Sequence, residues 1–393
     1  MRTIGIICEY NPVHLGHAYH IKQTKRLFED GCAVVCVMSG NFVQRGDFAV
    51  FNKHARAEAA IQSGADLVLE LPTPYVLLSA EGFADAGVYI LDKLGICDGI
   101  SFGSESGDLE ALKEAARVTN SEKARDFLKK ALAAGLPYAA AMQKAADEIL
   151  GKKSEVFKSP NNVLGIEYLK AVERYGFGLE AVTMTRIGGA HDSGEGYCAS
   201  NLRAVLKAGQ KPWELMPAAA VPIFEREIAS GRGPVFFENY EMLMLSRLRA
   251  DFDYAKISGM SEGLERRFSR FARSEPSAYG ILEKIKTKRY PMSRIRRILL
   301  SACLGITSDI NAEPPPYTKV LAFNNTGAKL LKSAREKSRI QIITKPAEGK
   351  KLQGIAGEMF EKEVKATDFY SLAFKGEQRR GGSEWTSGPC LTL

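Results

Sequence analysis

Four short apolar runs separated by helical patterns fill the first hundred residues, and this alternation constrains the fold more than any other feature. The runs cover residues 3–8, 33–38, 66–71 and 99–102, and the helical patterns between them cover 18–30, 53–63 and 80–94. Strands that are apolar throughout, rather than at every second residue, need cover on both faces. A helix between successive strands makes them parallel, and right-handed crossovers wind helices onto both sides. The pattern therefore predicts an α/β fold built on a doubly wound parallel sheet. Ligands in such sheets bind beyond the carboxyl ends of the strands, where the winding reverses. The segments at those ends, residues 9–17, 39–47 and 103–107, concentrate Gly, His, Asn and Ser.

The later chain reads differently. Residues 109–150 are helical, and Ser159-Pro160-Asn161-Asn162 opens another helix over 163–175. A strand over 179–187, a glycine-rich loop over 188–196 and a helix from about Ala199 complete a first domain of residues 1–210. A chain of 393 residues exceeds one ordinary core, so residues 211–393 form a second, mainly helical region. Its tail, from about residue 376, contains Gly and Arg and is expected to be mobile. No apolar run approaches the ~20 residues that span a bilayer. Met1-Arg2-Thr3-Ile4 begins a strand, not a signal peptide, so no membrane and a cytoplasmic location are expected. The seven cysteines show neither zinc spacing nor a disulfide framework, and Cys32 and Cys36 read as core thiols.

The chemistry concentrates in Glu9-Tyr10-Asn11-Pro12-Val13-His14-Leu15-Gly16-His17, which joins the first strand to the first helix. Gly16 lets backbone approach a phosphate closely. His17 falls at a helix start, where free N–H groups and the helix dipole favour anions. Two imidazoles on this turn can donate to phosphate oxygens and stabilise charge that grows as the α-phosphate is attacked. The alternative is a pair of surface histidines. Against it, three of the chain's five histidines, His14, His17 and His20, crowd into this one turn.

The His-x-Gly-His turn resembles that of the nucleotidylyltransferase superfamily, whose Rossmann-like site is shared with class I aminoacyl-tRNA synthetases. A second signature of that superfamily resembles Cys198-Ala199-Ser200-Asn201-Leu202-Arg203, with Cys198 standing where Ser is usual. The resemblance implies that Arg203 contacts the β- and γ-phosphates and that Ser200 supports it. A closer resemblance rests on Glu9-Tyr10-Asn11-Pro12, Met38-Ser39-Gly40-Asn41-Phe42-Val43-Gln44-Arg45-Gly46, Phe102-Gly103-Ser104-Glu105, Pro160-Asn161-Asn162-Val163-Leu164-Gly165 and Lys288-Arg289-Tyr290 followed by Arg294-Ile295-Arg296-Arg297. In that order these motifs look like the bacterial tRNA(Met) cytidine acetate ligase family. The implied reaction activates acetate with ATP as acetyl-adenylate and moves the acetyl group to N4 of the wobble cytidine of elongator tRNA(Met).

The same resemblance implies ATP contacts along Ile7-Cys8-Glu9-Tyr10-Asn11-Pro12-Val13-His14-Leu15-Gly16-His17-Ala18-Tyr19-His20, and at Gly103, Asn162, Arg186 and Ile187. Asn161 could replace Asn162 in this role, and either could instead cap the following helix. Gln44 and Arg45 belong to a loop that could close over an acyl-adenylate or be an ordinary connection. Asp192, beside His191, could take part in proton handling. Lys53 and His54 could add positive charge or simply be exposed. No metal cage is visible, so Mg2+ would arrive with ATP.

The net charge is +8, and seven basic residues fall between 284 and 297 without one acid. Lys288, Arg289, Arg294, Arg296 and Arg297 are the candidate RNA contacts, with Tyr290 able to stack on a splayed base. Two other functions compete: adenylylation of a small phosphate-bearing metabolite, and RNA binding without catalysis.

Overall fold

The computed structural model describes residues 1–28, 31–134, 136, 138–185, 198–250, 253–261 and 263–392. Its strands are β1 (Arg2–Cys8), β2 (Cys32–Ser39), β3 (Phe42–Val43), β4 (Asp47–Phe48), β5 (Leu67–Leu71), β6 (Gly99–Ser104), β7 (Glu180–Thr185), β8 (Tyr317–Phe323), β9 (Gln341–Ile343) and β10 (Cys390–Leu391). The main sheet runs in the order β10-β8-β5-β2-β1-β6-β7, with β9 also paired to β8. The strands from β5 to β7 in this order are mutually parallel. Strand β2 is buried along its whole length, as its unbroken apolar sequence requires. Winding passes from β1 to β2 on one side and returns to β6 on the other, so the reversal point lies at the carboxyl ends of β1 and β6.

The second region differs from its expected form at β8 and at its tail. Strand β8 pairs antiparallel with β5, from Leu67↔Phe323 to Glu70↔Lys319. The last part of the chain thus extends the sheet built by the first hundred residues. Periodicity shows that residues 317–323 form a strand, but it does not show which edge they join. Residues between 237 and 304 are mainly helical, and their core contains Tyr240, Phe268, Leu282 and Ile298.

The tail from Gly376 is tied down, contrary to the mobility expected of it. Glu384 is 1% exposed, and its carboxylate lies 2.8 Å from Lys53 Nζ and 2.5 Å from Lys319 Nζ. Thr367 Oγ1 donates to the same carboxylate at 2.8 Å. A buried acid that meets two buried amines overrides the tendency of a Gly- and Arg-containing segment to stay loose. All seven cysteines are free, with Cys32 and Cys36 in the buried interior of β2. No helix among the described residues is long and apolar enough to cross a membrane.

Candidate active site

Strand β1 ends at Cys8, and the chain turns through Tyr10, whose φ of 44° lies in the left-handed region. The helix Leu15–Arg26 then begins with reciprocal caps. His14 Nδ1 accepts the Gly16 N–H at 3.1 Å, and His17 Nδ1 accepts the His14 N–H at 3.3 Å. This is a capping box made by imidazoles instead of Ser and Glu. It has a chemical consequence. A neutral ring that accepts through Nδ1 carries its proton on Nε2, so both Nε2 atoms are donors. The rings stack with centroids 3.6 Å apart and planes inclined by 24°. The histidine pair is therefore a fixed double donor at a helix N-terminus. His20, one turn on, hydrogen-bonds Ser101 Oγ in β6 at 2.8 Å and so ties the helix to the reversal point.

These residues line a cleft of about 330 Å³ at the carboxyl ends of β1 and β6. Of the sequence-derived candidates, Ile7, Cys8, Glu9, Tyr10, Asn11, His14, Gly16, His17, Tyr19, His20, Gly103, Asn161 and Arg203 line it. Pro12, Val13, Leu15 and Ala18 lie outside the lining, and Val13 is a core residue. Phe83, Phe102, Leu164, Tyr168 and Met184 give the cleft an apolar side. Arg203, on the helix Ala199–Lys207, donates to the Asn11 carbonyl at 2.9 Å, so the second signature meets the first directly. Ser200 lies outside the lining, with Oγ 3.2 Å from Cys198 Sγ. Arg186, Ile187, His191 and Asp192 fall outside the described residues.

The two asparagines divide the work differently from the expected choice between reading a ligand and capping a helix. Asn162 Oδ1 accepts the N–H groups of Glu105 at 2.9 Å and Ser106 at 3.3 Å. It braces the turn after β6 and is itself buried. Asn161 lines the cleft, and its Nδ2 donates to Glu105 Oε1 at 2.5 Å.

Arg56 carries a role that sequence reading missed. It is fully buried, donates through Nε to Phe51 O at 3.0 Å and through Nη2 to Ser39 O at 3.0 Å, and also bonds the carbonyls of Glu9 and Gly40. One guanidinium thus holds the carboxyl ends of β1 and β2 together beside the cleft. The only sequence signal was an arginine in an otherwise alanine-rich helix, Lys53–Gln62. Glu9 is the acid that lines the cleft among the described residues. Burial pushes its carboxyl above the usual range, while the Gln44 amide at 2.6 Å and the nearby Arg203 pull it back. Burial likewise lowers the Arg203 guanidinium.

The loop over 39–47 is a hairpin, with β3 antiparallel to β4. Its tip residues Gln44 and Arg45 line the cleft, while Phe42 and Phe48 are buried in the core of the helical region. Phe48 stacks on Tyr240 at 3.6 Å with the planes 1° apart. The hairpin is thus a packed wall of the cleft.

The basic run of 284–297 does not present one uniform face. Lys288 and Arg289 are exposed, but Tyr290 is 7% exposed and joins the core, where a base cannot reach it. Arg294 donates to Ser261 Oγ at 2.6 Å. Arg296 pairs with Asp47 at 3.0 Å and covers the Phe237 ring at 4.6 Å. Arg297 donates to the Gln44 carbonyl at 3.4 Å. These last two arginines face the hairpin. Lys53 and His54 also lie outside the cleft lining. Lys53 is 1% exposed and bound to Glu70 at 2.7 Å. Burial, aided by Lys319 and Lys53, pushes the His54 imidazole down to about 3, so it stays neutral.

The sequence matches the HIGH nucleotidyl transferase family over residues 1–384. It is 36% identical to the tRNA(Met) cytidine acetate ligase of Acetivibrio thermocellus, over 98% of this chain and 99% of that protein. It is 38% identical to the enzyme of the same name from Caldanaerobacter subterraneus, over 95% and 96%. The crystal structure of Thermotoga maritima TmcAL in its apo form superposes with a TM-score of 0.92 at 33% identity, over 100% of this chain and 99% of that one. A second structure of that protein, bound with α-thio ATP, gives 0.91 at 34% identity with the same coverage. With a nucleotidyl transferase fold matched nearly end to end and relatives of one name over the full length, the chain belongs to the tRNA(Met) cytidine acetate ligase family.

Proposed function

We propose that this chain uses ATP to activate acetate and transfers the acetyl group to N4 of the wobble cytidine of elongator tRNA(Met). The observation that carries this reading is the stacked His14–His17 pair, whose Nδ1 atoms are occupied by backbone N–H groups at the rim of a nucleotide-sized cleft. In the first step a carboxylate oxygen of acetate attacks the α-phosphorus and pyrophosphate leaves. The two Nε2–H donors stabilise the charge gathering on the phosphate oxygens. Arg203, anchored on Asn11 O, adds a cation for the outer phosphates. The apolar side of the cleft takes the purine and keeps water from the mixed anhydride. In the second step the cytidine amine attacks the acetyl carbonyl carbon, the bond to AMP breaks, and the amine loses one proton.

Mg2+ fits this site only as a companion of the triphosphate. Glu9 is the single carboxylate among the described lining residues, and no cluster of three metal-binding side chains occurs among the described residues. Phosphate oxygens and water would supply most of its ligands. A cytoplasmic location belongs to the same reading and is supported by seven unpaired thiols. Exposed Lys288 and Arg289 remain the candidate RNA contacts of the basic run.

ATP–pyrophosphate exchange with RNA absent tests the proposal. Exchange should require acetate, and His17→Ala should lower it by roughly two to three orders of magnitude. Exchange indifferent to carboxylates, with AMP joined to a metabolite, would favour the competing adenylyl transfer. Near-normal exchange in the variant would remove the histidine pair from the mechanism.

A further inference from the structure

The helical region carries a second basic feature that the cleft does not use. The helix Leu264–Ser274 buries Leu264, Phe268 and Ala272 along one stripe. Arg266, Arg270 and Arg273 fall on another stripe and are exposed. They line a shallow groove with Ser269 and Tyr254, and its acids among the described residues are Asp253 and Glu265. The Arg266 side chain is 92% exposed and meets Glu265 only at 4.0 Å, while Asp253 is drawn toward Lys256 at 3.9 Å. Arg267 turns the other way and donates to the carbonyls of Lys284 at 2.7 Å and Ile285 at 3.3 Å. It thereby fastens the helix to the segment carrying exposed Lys284, Lys286, Lys288 and Arg289.

Seven residues of helix span about 10 Å, longer than one small anion but suited to successive phosphates of a polymer. Basic amphipathic helices also bind membranes, but they do so by inserting an apolar face. Here that face is committed to the core through Leu264, Phe268 and Ala272. What the helix offers outward is polar, with Arg266, Ser269, Arg270 and Arg273 exposed.

We propose that Arg266, Arg270 and Arg273 form a rail that contacts the RNA backbone. This rests on the tRNA-acetylation reading above. The test compares wild type with the triple variant Arg266→Ala, Arg270→Ala, Arg273→Ala in full-length protein. Affinity for tRNA(Met) at ~0.15 M salt should fall at least about ten-fold, and the slope of log affinity against log salt should drop by about 2 to 3, near 0.9 per phosphate contact. The triple Lys variant should recover much of the slope, since lysine keeps the point charge. RNA-free acetate-dependent exchange, measured in parallel, reports an intact cleft. Unchanged tRNA affinity and slope would overturn the rail, as would weaker binding of polyglutamate with RNA binding intact. A wild type that binds tRNA yet never acetylates it would instead sink the functional reading and leave the rail standing.

Discussion

Arg296 Nη2 lies 3.0 Å from Asp47 Oδ2, and this ion pair joins the helix Met292–Leu304 to the hairpin that walls the nucleotide cleft. Arg297 adds a bond to the Gln44 carbonyl at 3.4 Å. From Gln44 the backbone N–H donates to Glu9 Oε1 at 2.6 Å, so the connection continues to the end of β1. Two arginines that look like RNA contacts in the sequence are bonded to the hairpin that walls the cleft. Arg296→Ala should raise the KM for ATP and acetate in RNA-free exchange by about ten-fold, equivalent to ~1.4 kcal/mol for a partly buried charged hydrogen bond. Arg296→Lys should recover part of the loss, and Asp47→Asn should reproduce it. Exchange kinetics that stay normal in Arg296→Ala, alongside weaker tRNA binding, would return Arg296 to the RNA surface.

The same junction has no spare room at Gly46. Its φ of 75° is left-handed, and a Cβ there would sit 2.5 Å from the Arg297 backbone N and 2.7 Å from the Arg296 carbonyl carbon. Both obstacles are backbone, so a side chain cannot be accommodated by a rotamer change. Gly46→Ala should therefore cost about 1–3 kcal/mol of stability and displace the hairpin tip. Urea titration would read the stability, and exchange would read the cleft. An alanine variant with the wild-type midpoint and wild-type exchange would show that the hairpin is loosely held.

The parts of this structure legible in the sequence are those fixed by local rules. Strands β1, β2, β5 and β6 follow from apolar runs, and the reversal point follows from their winding. The His14–His17 turn is legible because its residues lie within one short stretch of chain. Relations across long separations are not encoded locally. Glu384 meets Lys53 at a distance of 331 residues in sequence, and nothing in the tail announces it. Like-signed charge in the run 284–297 conceals which way each residue faces. On the helix Met292–Leu304, Arg294 turns to Ser261, whereas Arg296 and Arg297 turn to the hairpin. Arg56 was missed for a related reason, since an arginine with carbonyl partners from four separate residues resembles any other helix arginine until the chain is folded.

Glu384 holds the tail by charge, and its removal has a definite sign. Burial works against its ionised form, but Lys53 and Lys319 outweigh that penalty and hold the carboxyl well below the ordinary range. Glu384→Gln keeps the shape and leaves two buried amines short of one negative charge. The loss should be about 3–5 kcal/mol, the usual cost of breaking a buried pair by removing one partner. Proteolysis after the region around residue 376 should become faster at the same time. A variant with unchanged urea midpoint and unchanged cleavage rate would show that Glu70 alone suffices for both lysines.

Glu363 makes stability depend on pH. Burial, and then the neighbouring Glu70 charge, push its carboxyl up to about 8. Its oxygens accept from Thr73 N at 2.5 Å and from Thr73 Oγ1 at 3.0 Å, so the side chain is fixed in place. Between the unfolded carboxylate value of ~4.3 and about 8, the folded protein binds more protons at this position than the unfolded chain does. The Glu363 contribution therefore favours folding at low pH and is lost as pH rises through that window. Glu363→Gln, permanently neutral, should gain on wild type steadily from pH 5 to about 8. The informative quantity is the difference between the two stability curves, which cancels groups common to both, including neutral His54. A difference that stays flat across the window would mean that Glu363 is already ionised in the folded protein at pH 5.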